Sequence, residues 1–156
     1  FLGFKNDYPN DFKHTTYDIM CNSYTTDILE SEHEEFMAHD VGDVVFLSKF
    51  PKRTHPFWNM KQDDDDKNLF NKIDVILHGQ ETIGSAERST SPDEMLTNFL
   101  NQTDGQYSQL LFDKFGKGRV MTELKEFLSH DFFPRFGGGI GVNRMARALK
   151  LEGIIK

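Results

Sequence analysis

Residues Gly137-Gly138-Gly139-Ile140-Gly141-Val142-Asn143-Arg144 combine four glycines with an arginine, and a helix-like run, Met145 to Lys150, follows at once. Glycines this dense let a backbone approach a flat or phosphorylated ligand where any Cβ would collide. The arginine adds a planar cation beside that surface. Glycine-rich strand ends also serve tight turns and close packing, so the run is open to two readings, a packing device or a nucleotide cradle. It lacks the glycine that a G-x-G-x-x-G fingerprint requires at Val142, and it has no G-K-[ST] ending of a phosphate-binding loop.

The elements that must position this run can be read along the chain. Residues 1 to 42 are polar and acidic, and Thr26 to Met37 carries Ile28, Leu29, Phe36 and Met37 as an amphipathic helix ending before Gly42. His33, Glu34 and His39 have the residue types of a metal site, but their spacing matches no helix-borne ligand pair and reads as a solvated acidic face. Val44 to Leu47 is a short apolar run suited to a buried strand. Phe50-Pro51 and His55-Pro56 break the chain before Phe57 to Met60 resumes an extended segment. Asp63 to Asp66 with Lys67 reads as an exposed, mobile loop.

Ile73 to His78 alternates Ile73, Val75 and Leu77 against Asp74, Ile76 and His78, which predicts a strand with one buried and one polar face. Gly79 permits a turn, and Glu81 to Arg88 continues extended. Ser91-Pro92-Asp93-Glu94 predicts a helix start, with Ser91 as N-cap and Glu94 reaching back as the capping-box partner. A second helix is expected from Met121 to Leu128. Strands joined by short turns must pair antiparallel, because a parallel partner needs a long crossover. The expected fold is therefore an α+β domain over residues 1–156, an antiparallel sheet flanked by helices.

The composition narrows the function classes. A net charge of −7 argues against a surface that binds nucleic acid by charge alone. No run is long and apolar enough to span a bilayer, so no membrane partner is expected. The lone Cys21 excludes an internal disulfide framework and a cysteine-built zinc site, which fits a reducing, cytoplasmic compartment. The chain begins at Phe1 rather than Met, and further residues are expected upstream.

Four segments together resemble the catalytic core of class II aminoacyl-tRNA synthetases, in the aspartyl, asparaginyl and lysyl subgroup. They are Phe46 to Pro51 with His55 to Trp58, then Asp74 to Leu77, then Glu81 to Arg88 with Ser91 to Met95, and lastly the glycine strand ending in Arg144. The resemblance implies ATP-dependent activation of aspartate or asparagine as an aminoacyl-adenylate. Such a site must hold adenine, neutralise three phosphates and aim the amino acid's carboxylate in line. Asp74 and Glu81 are similar to the family's paired carboxylates that hold Mg2+ against ATP; the bland alternative is two solvated acids flanking a hairpin. Gly137, Gly138, Gly139, Gly141 and Arg144 correspond to its ATP-binding third motif, with Arg144 and Glu81 as catalytic groups.

Arg88 falls where the family places the arginine that contacts the amino-acid side chain, with Ser85 beside it. Two parallel guanidinium donors suit a β-carboxylate. The plain alternative is a strand-end arginine paired with Glu87 or Glu94. Residues seven apart on an ideal strand face opposite sides, so a cleft shared by Glu81 and Arg88 requires an irregularity, expected at Gly84-Ser85.

The sequence also departs from the family. Asn143 stands where an acid usually precedes the motif 3 arginine, Gly84-Ser85 reads differently from the close relatives, and His55 and Trp58 replace a basic residue and a tyrosine. The stretch Asn101 to Arg135 is longer than its counterpart. These features also resemble ammonia-dependent asparagine synthetases, which share the adenylate step and pass aspartate to ammonia rather than tRNA. A non-catalytic binding paralogue is the third reading, and joint retention of Asp74, Glu81, Arg88 and Arg144 argues against it. Motif 1, implying a homodimer, and motif 2 are not found in the chain, which suggests the C-terminal part of such a core.

Overall fold

The computed structural model describes residues 12–156; residues 1–11 of the polar N-terminal stretch lie outside the described part. Its strands are β1 (Lys13–Thr16), β2 (Val44–Pro51), β3 (Leu69–Leu77), β4 (Gln80–Arg88) and β5 (Arg135–Ile140), and they form one sheet in that order. The helices are α1 (Tyr17–Tyr24), α2 (Ser31–Asp40), α3 (Pro92–Asn101), α4 (Gln106–Phe115), α5 (Lys117–Leu128) and α6 (Val142–Leu151). The sheet is mixed and mostly antiparallel. The exception is β1, which runs parallel to β2 with Lys13 opposite Val45 and Thr16 opposite Ser48. The two helices between them supply the long crossover that a parallel pair requires.

The chain forms two compact units, the first comprising residues up to Phe50, Lys72–Ser85 and Gly138–Lys156. Its main core gathers Tyr17, Met20, Cys21, Met37, Val45, Leu47, Phe50 and Ile76. A second cluster sets Leu77 and Ala148 against Val44, Val75, Met145 and Leu149, so α6 is held by its apolar face. The helix expected from Thr26 begins only at Ser31. There the Glu30 N–H donates to His33 Nδ1 at 2.9 Å, which gives His33 a capping role. On β3 both faces are covered: Leu77 is buried and Val75 packs beside it as the alternation predicts, Asp74 and Ile76 are buried on the face expected to be polar, and Ile73 is 40% exposed.

The β3–β4 connection is the two-residue turn His78-Gly79, both at positive φ, as a tight hairpin demands. Gly79 meets a second constraint. A Cβ there would stand 2.8 Å from the Glu35 Cα, so the backbone of α2 rests directly on the turn.

The second unit comprises Pro51–Asn71 and Ala86–Gly137. Ser91 Oγ caps α3 by accepting from the Glu94 N–H at 3.2 Å, and Pro92 occupies the first turn. The Glu94 carboxylate does not reach back; it accepts from the Gln62 N–H at 3.3 Å instead. The helix expected at 121–128 starts at Lys117, and α4 precedes it, separated by Gly116 at φ +85°. Phe57 to Met60 forms a turn rather than an extended run, with Met60 bridging Arg88 antiparallel. In the acidic loop Asp63 is buried, and its Oδ1 accepts from the Asp65 and Asp66 backbone N–H groups.

Candidate active site

In the first unit, β3 delivers Asp74, β4 delivers Glu81, and α2 adds Glu34. Asp74 is 5% exposed, and its Oδ1 has no hydrogen-bond partner among the described residues. Its other oxygen receives the ammonium of Lys72, which lies two residues earlier and therefore on the same face of β3. Burial pushes the Asp74 carboxyl up to about 6; Lys72 opposes that shift, while Glu81 and Glu34 add to it. Glu34 is likewise raised by burial, and the Glu81 N–H that donates to its Oε2 at 2.7 Å works against the shift.

Gly84 explains how the acids come together. A Cβ at that position would stand 2.9 Å from Glu81 Oε1 and 3.3 Å from Asp74 Oδ1. Both carboxylates therefore occupy the space a side chain would fill. Residues three apart on a regular strand face opposite sides, so Gly84 facing the same oxygens as Glu81 shows that β4 slips out of alternation between them. The Glu81 and Asp74 carboxylates, the latter with an oxygen left without a partner among the described residues, are two oxygen donors of the kind a hard divalent cation takes.

The glycine strand serves both packing and approach. A Cβ on Gly138 would lie 2.7 Å from the Gly84 carbonyl oxygen, so β5 can close on β4 only through a glycine. Gly139, by contrast, faces open space. The Gly141 N–H donates to the Thr82 carbonyl at 2.8 Å, and α6 starts there. Arg144, in the first turn of α6, is exposed and donates from Nη1 to the Glu81 carbonyl at 2.6 Å. The Ser85 hydroxyl donates to the Ile73 carbonyl at 3.2 Å.

His78 faces a carboxylate with each ring nitrogen: Nε2 lies 2.8 Å from Glu152 Oε1 and Nδ1 lies 3.3 Å from Asp43 Oδ1. The ring ties the end of α6 to the hairpin, and one ligand atom from each of Asp43, His78 and Glu152 lies within 4.8 Å of the other two, a grouping that could also hold an ion.

In the second unit, Arg88 pairs with neither Glu87 nor Glu94. Its Nη1 donates to Asn59 Oδ1 and its Nη2 to the Gly137 carbonyl, each at 3.1 Å. Glu87 is engaged by Lys61 at 3.2 Å and by Asn71 at 2.9 Å. A Cβ on Gly137 would stand 2.8 Å from Arg88 Nε, so the glycine makes room for the guanidinium. This unit also holds an aromatic cavity of about 430 Å3 lined by Phe57, Trp58, Asn59, Phe99, Tyr107 and Phe127, among others.

The structure thus groups Asp74, Glu81, Ser85, Gly138 and Arg144 within the first unit, and Arg88 with Gly137 within the second. Sequence reasoning missed two members of the acidic cluster. In the sequence Glu34 reads as part of a solvated face. The signal for Lys72 is its i, i+2 spacing from Asp74.

Comparison with known proteins follows the same lines. The family profile "tRNA synthetases class II (D, K and N)" matches residues 3–156. An aspartate–tRNA(Asp/Asn) ligase of Aeropyrum pernix is 26% identical over 150 residues, covering 88% of this chain and 31% of that protein. A lysine–tRNA ligase of Psychrobacter cryohalolentis is 24% identical over 120 residues, covering 74% of this chain and 21% of its own length. The chain therefore spans about a third or less of these relatives. Among solved structures, asparaginyl-tRNA synthetase from Pyrococcus horikoshii, complexed with asparaginyl-adenylate, shares the fold with a TM-score of 0.70 at 19% identity, over 96% of this chain and 35% of that one. The Entamoeba histolytica asparaginyl-tRNA synthetase, also with asparaginyl-adenylate, gives a TM-score of 0.71 at 18% identity, over 97% and 35%.

Proposed function

Because the chain belongs to the class II tRNA synthetases of the D, K and N group, we propose that it serves ATP-dependent activation of aspartate or asparagine as an aminoacyl-adenylate. The observation that carries this reading is the space above Gly84, where the Asp74 and Glu81 carboxylates converge and one buried oxygen is left without a partner. Asp74 and Glu81 are the residues that would hold Mg2+. Bound there, the ion supplies positive charge to phosphate oxygens as they become a leaving group.

The remaining roles belong to the chain's own groups. Glu34 fixes the backbone of Glu81 through its N–H. Arg144, anchored on the Glu81 carbonyl, presents a permanent cation for ATP at the end of the glycine strand. Gly139, facing open space, leaves a backbone surface that a planar base can approach. Arg88, steadied by Asn59, offers a planar fork to the amino-acid side chain.

A second reading keeps this half-reaction and changes the acceptor from tRNA to ammonia. It rests on Asn143, which leaves the first turn of α6 without an acid. ATP–pyrophosphate exchange on the full-length protein, with aspartate and asparagine tested separately, examines the shared step. Exchange with neither amino acid would overturn both readings. Product analysis with ammonia or tRNA then separates them.

A further inference from the structure

Lys72 places a cation directly against Asp74, one of the two acids that meet at Gly84. Its ammonium contacts the Asp74 carboxylate and lies 3.6 Å from the centroid of the Phe50 ring. The ring belongs to the buried core, so it offers the ammonium a fixed platform through its electron-rich face. The Lys72 side chain is only 20% exposed, and that of Asp74 only 7%. This is a held contact rather than a solvent-screened surface pair.

Charge counting shows what the contact does. Glu34, Asp74 and Glu81 carry three negative charges when ionised, and Lys72 with Arg144 supplies two positive ones. The cluster is thus largely neutralised before any metal arrives. A divalent ion that ligates Asp74 must displace the ammonium or share the carboxylate with it, and like charges at such separations repel strongly in a half-buried site.

We infer that Lys72 is a positioning residue, a resident counter-cation that competes with the divalent ion for Asp74 and keeps the ATP-free protein's metal affinity low. The inference rests on Asp74 and Glu81 being the metal-holding pair. It follows that the metal enters together with the polyphosphate, whose negative charge offsets the second cation. The ammonium, retained on the Phe50 ring, then remains beside the phosphates as an additional positive group.

The test is direct binding of Mn2+ alone to the full-length protein without ATP, at about pH 8, read by the loss of the free-ion electron paramagnetic resonance signal. Lys72→Met should bind Mn2+ roughly tenfold more tightly than wild type, or better. Lys72→Arg, which keeps the charge, should stay near wild type, and Asp74→Asn should abolish the gain. Lys72→Gln repeats the measurement should Lys72→Met fail to unfold cooperatively. Equal or weaker Mn2+ binding by the neutral variants overturns the inference while leaving the metal pair intact. Absence of Mn2+ binding in every variant overturns the metal reading of Asp74 and Glu81, and this inference with it.

Discussion

A methyl group on Gly84 would stand 2.9 Å from Glu81 Oε1, closer than a carbon and an unbonded carboxylate oxygen can approach. The atom in the way is the far end of a flexible side chain, so the fold can yield by moving the carboxylate. Gly84→Ala should therefore change the melting temperature little while lowering ATP–pyrophosphate exchange on the order of tenfold or more. Gly138→Ala should do the reverse in kind. Its methyl would strike the Gly84 backbone carbonyl at 2.7 Å, and it should cost about 1–3 kcal/mol of stability by urea denaturation.

The acidity of Asp74 gives a pH signature. In the folded chain its pKa rises from the ordinary 3.8 to about 6 because burial disfavours the anion. The folded state therefore holds this proton more tightly than the unfolded one. The resulting stabilisation is fully present below pH 3.8 and is lost as the pH rises through about 6. In magnesium-free buffer, the stability of wild type minus that of Asp74→Asn should fall by on the order of 3 kcal/mol between about pH 4 and about pH 7, then level off. A difference that grows with pH would contradict the buried-acid account.

Arg88 holds both its partners through one planar fork. Lysine keeps the charge and loses that geometry. Arg88→Lys should raise the KM for the activated amino acid by roughly tenfold to a hundredfold in the exchange assay, with a smaller effect on the KM for ATP. Arg147→Ala, on the exposed side of α6, should leave both constants near wild type. Equal losses in the two variants would remove the substrate role from Arg88.

Ser91→Ala deletes the side-chain acceptor at the start of α3. It should cost about 1 kcal/mol. The sole tryptophan, Trp58, lies edge-on to Phe99 of α3 at 5.7 Å and reports this loss by fluorescence during unfolding. Kinetic constants should hold, because the cap touches none of the charged groups of the first unit.

Local chemistry made part of this architecture readable. Strand β2, the His78-Gly79 hairpin, the Ser91-Pro92 helix start and the step from glycine strand into α6 each carry their signal within a few residues. The parallel pairing of β1 does not, because it joins segments that the two crossover helices hold far apart in sequence. The burial of the second face of β3 escaped for a related reason. Alternation gives the period of a strand but not whether one side or both are covered, and here a covered side contains a carboxylate. Glu34 was illegible because it reaches Glu81 across 47 positions of sequence through one backbone N–H. Lys72 needed only the period of two to be found beside Asp74, yet a lysine on a strand is ordinarily a solvent residue.

Gly79 has a consequence beyond its turn. The α2 backbone touches it with no side chain between, so the depth at which Glu34 enters the acidic cluster is set by the absence of a single carbon. Any side chain at position 79 lifts the helix and strips the Glu81 N–H of its acceptor, whatever acid stands at position 34.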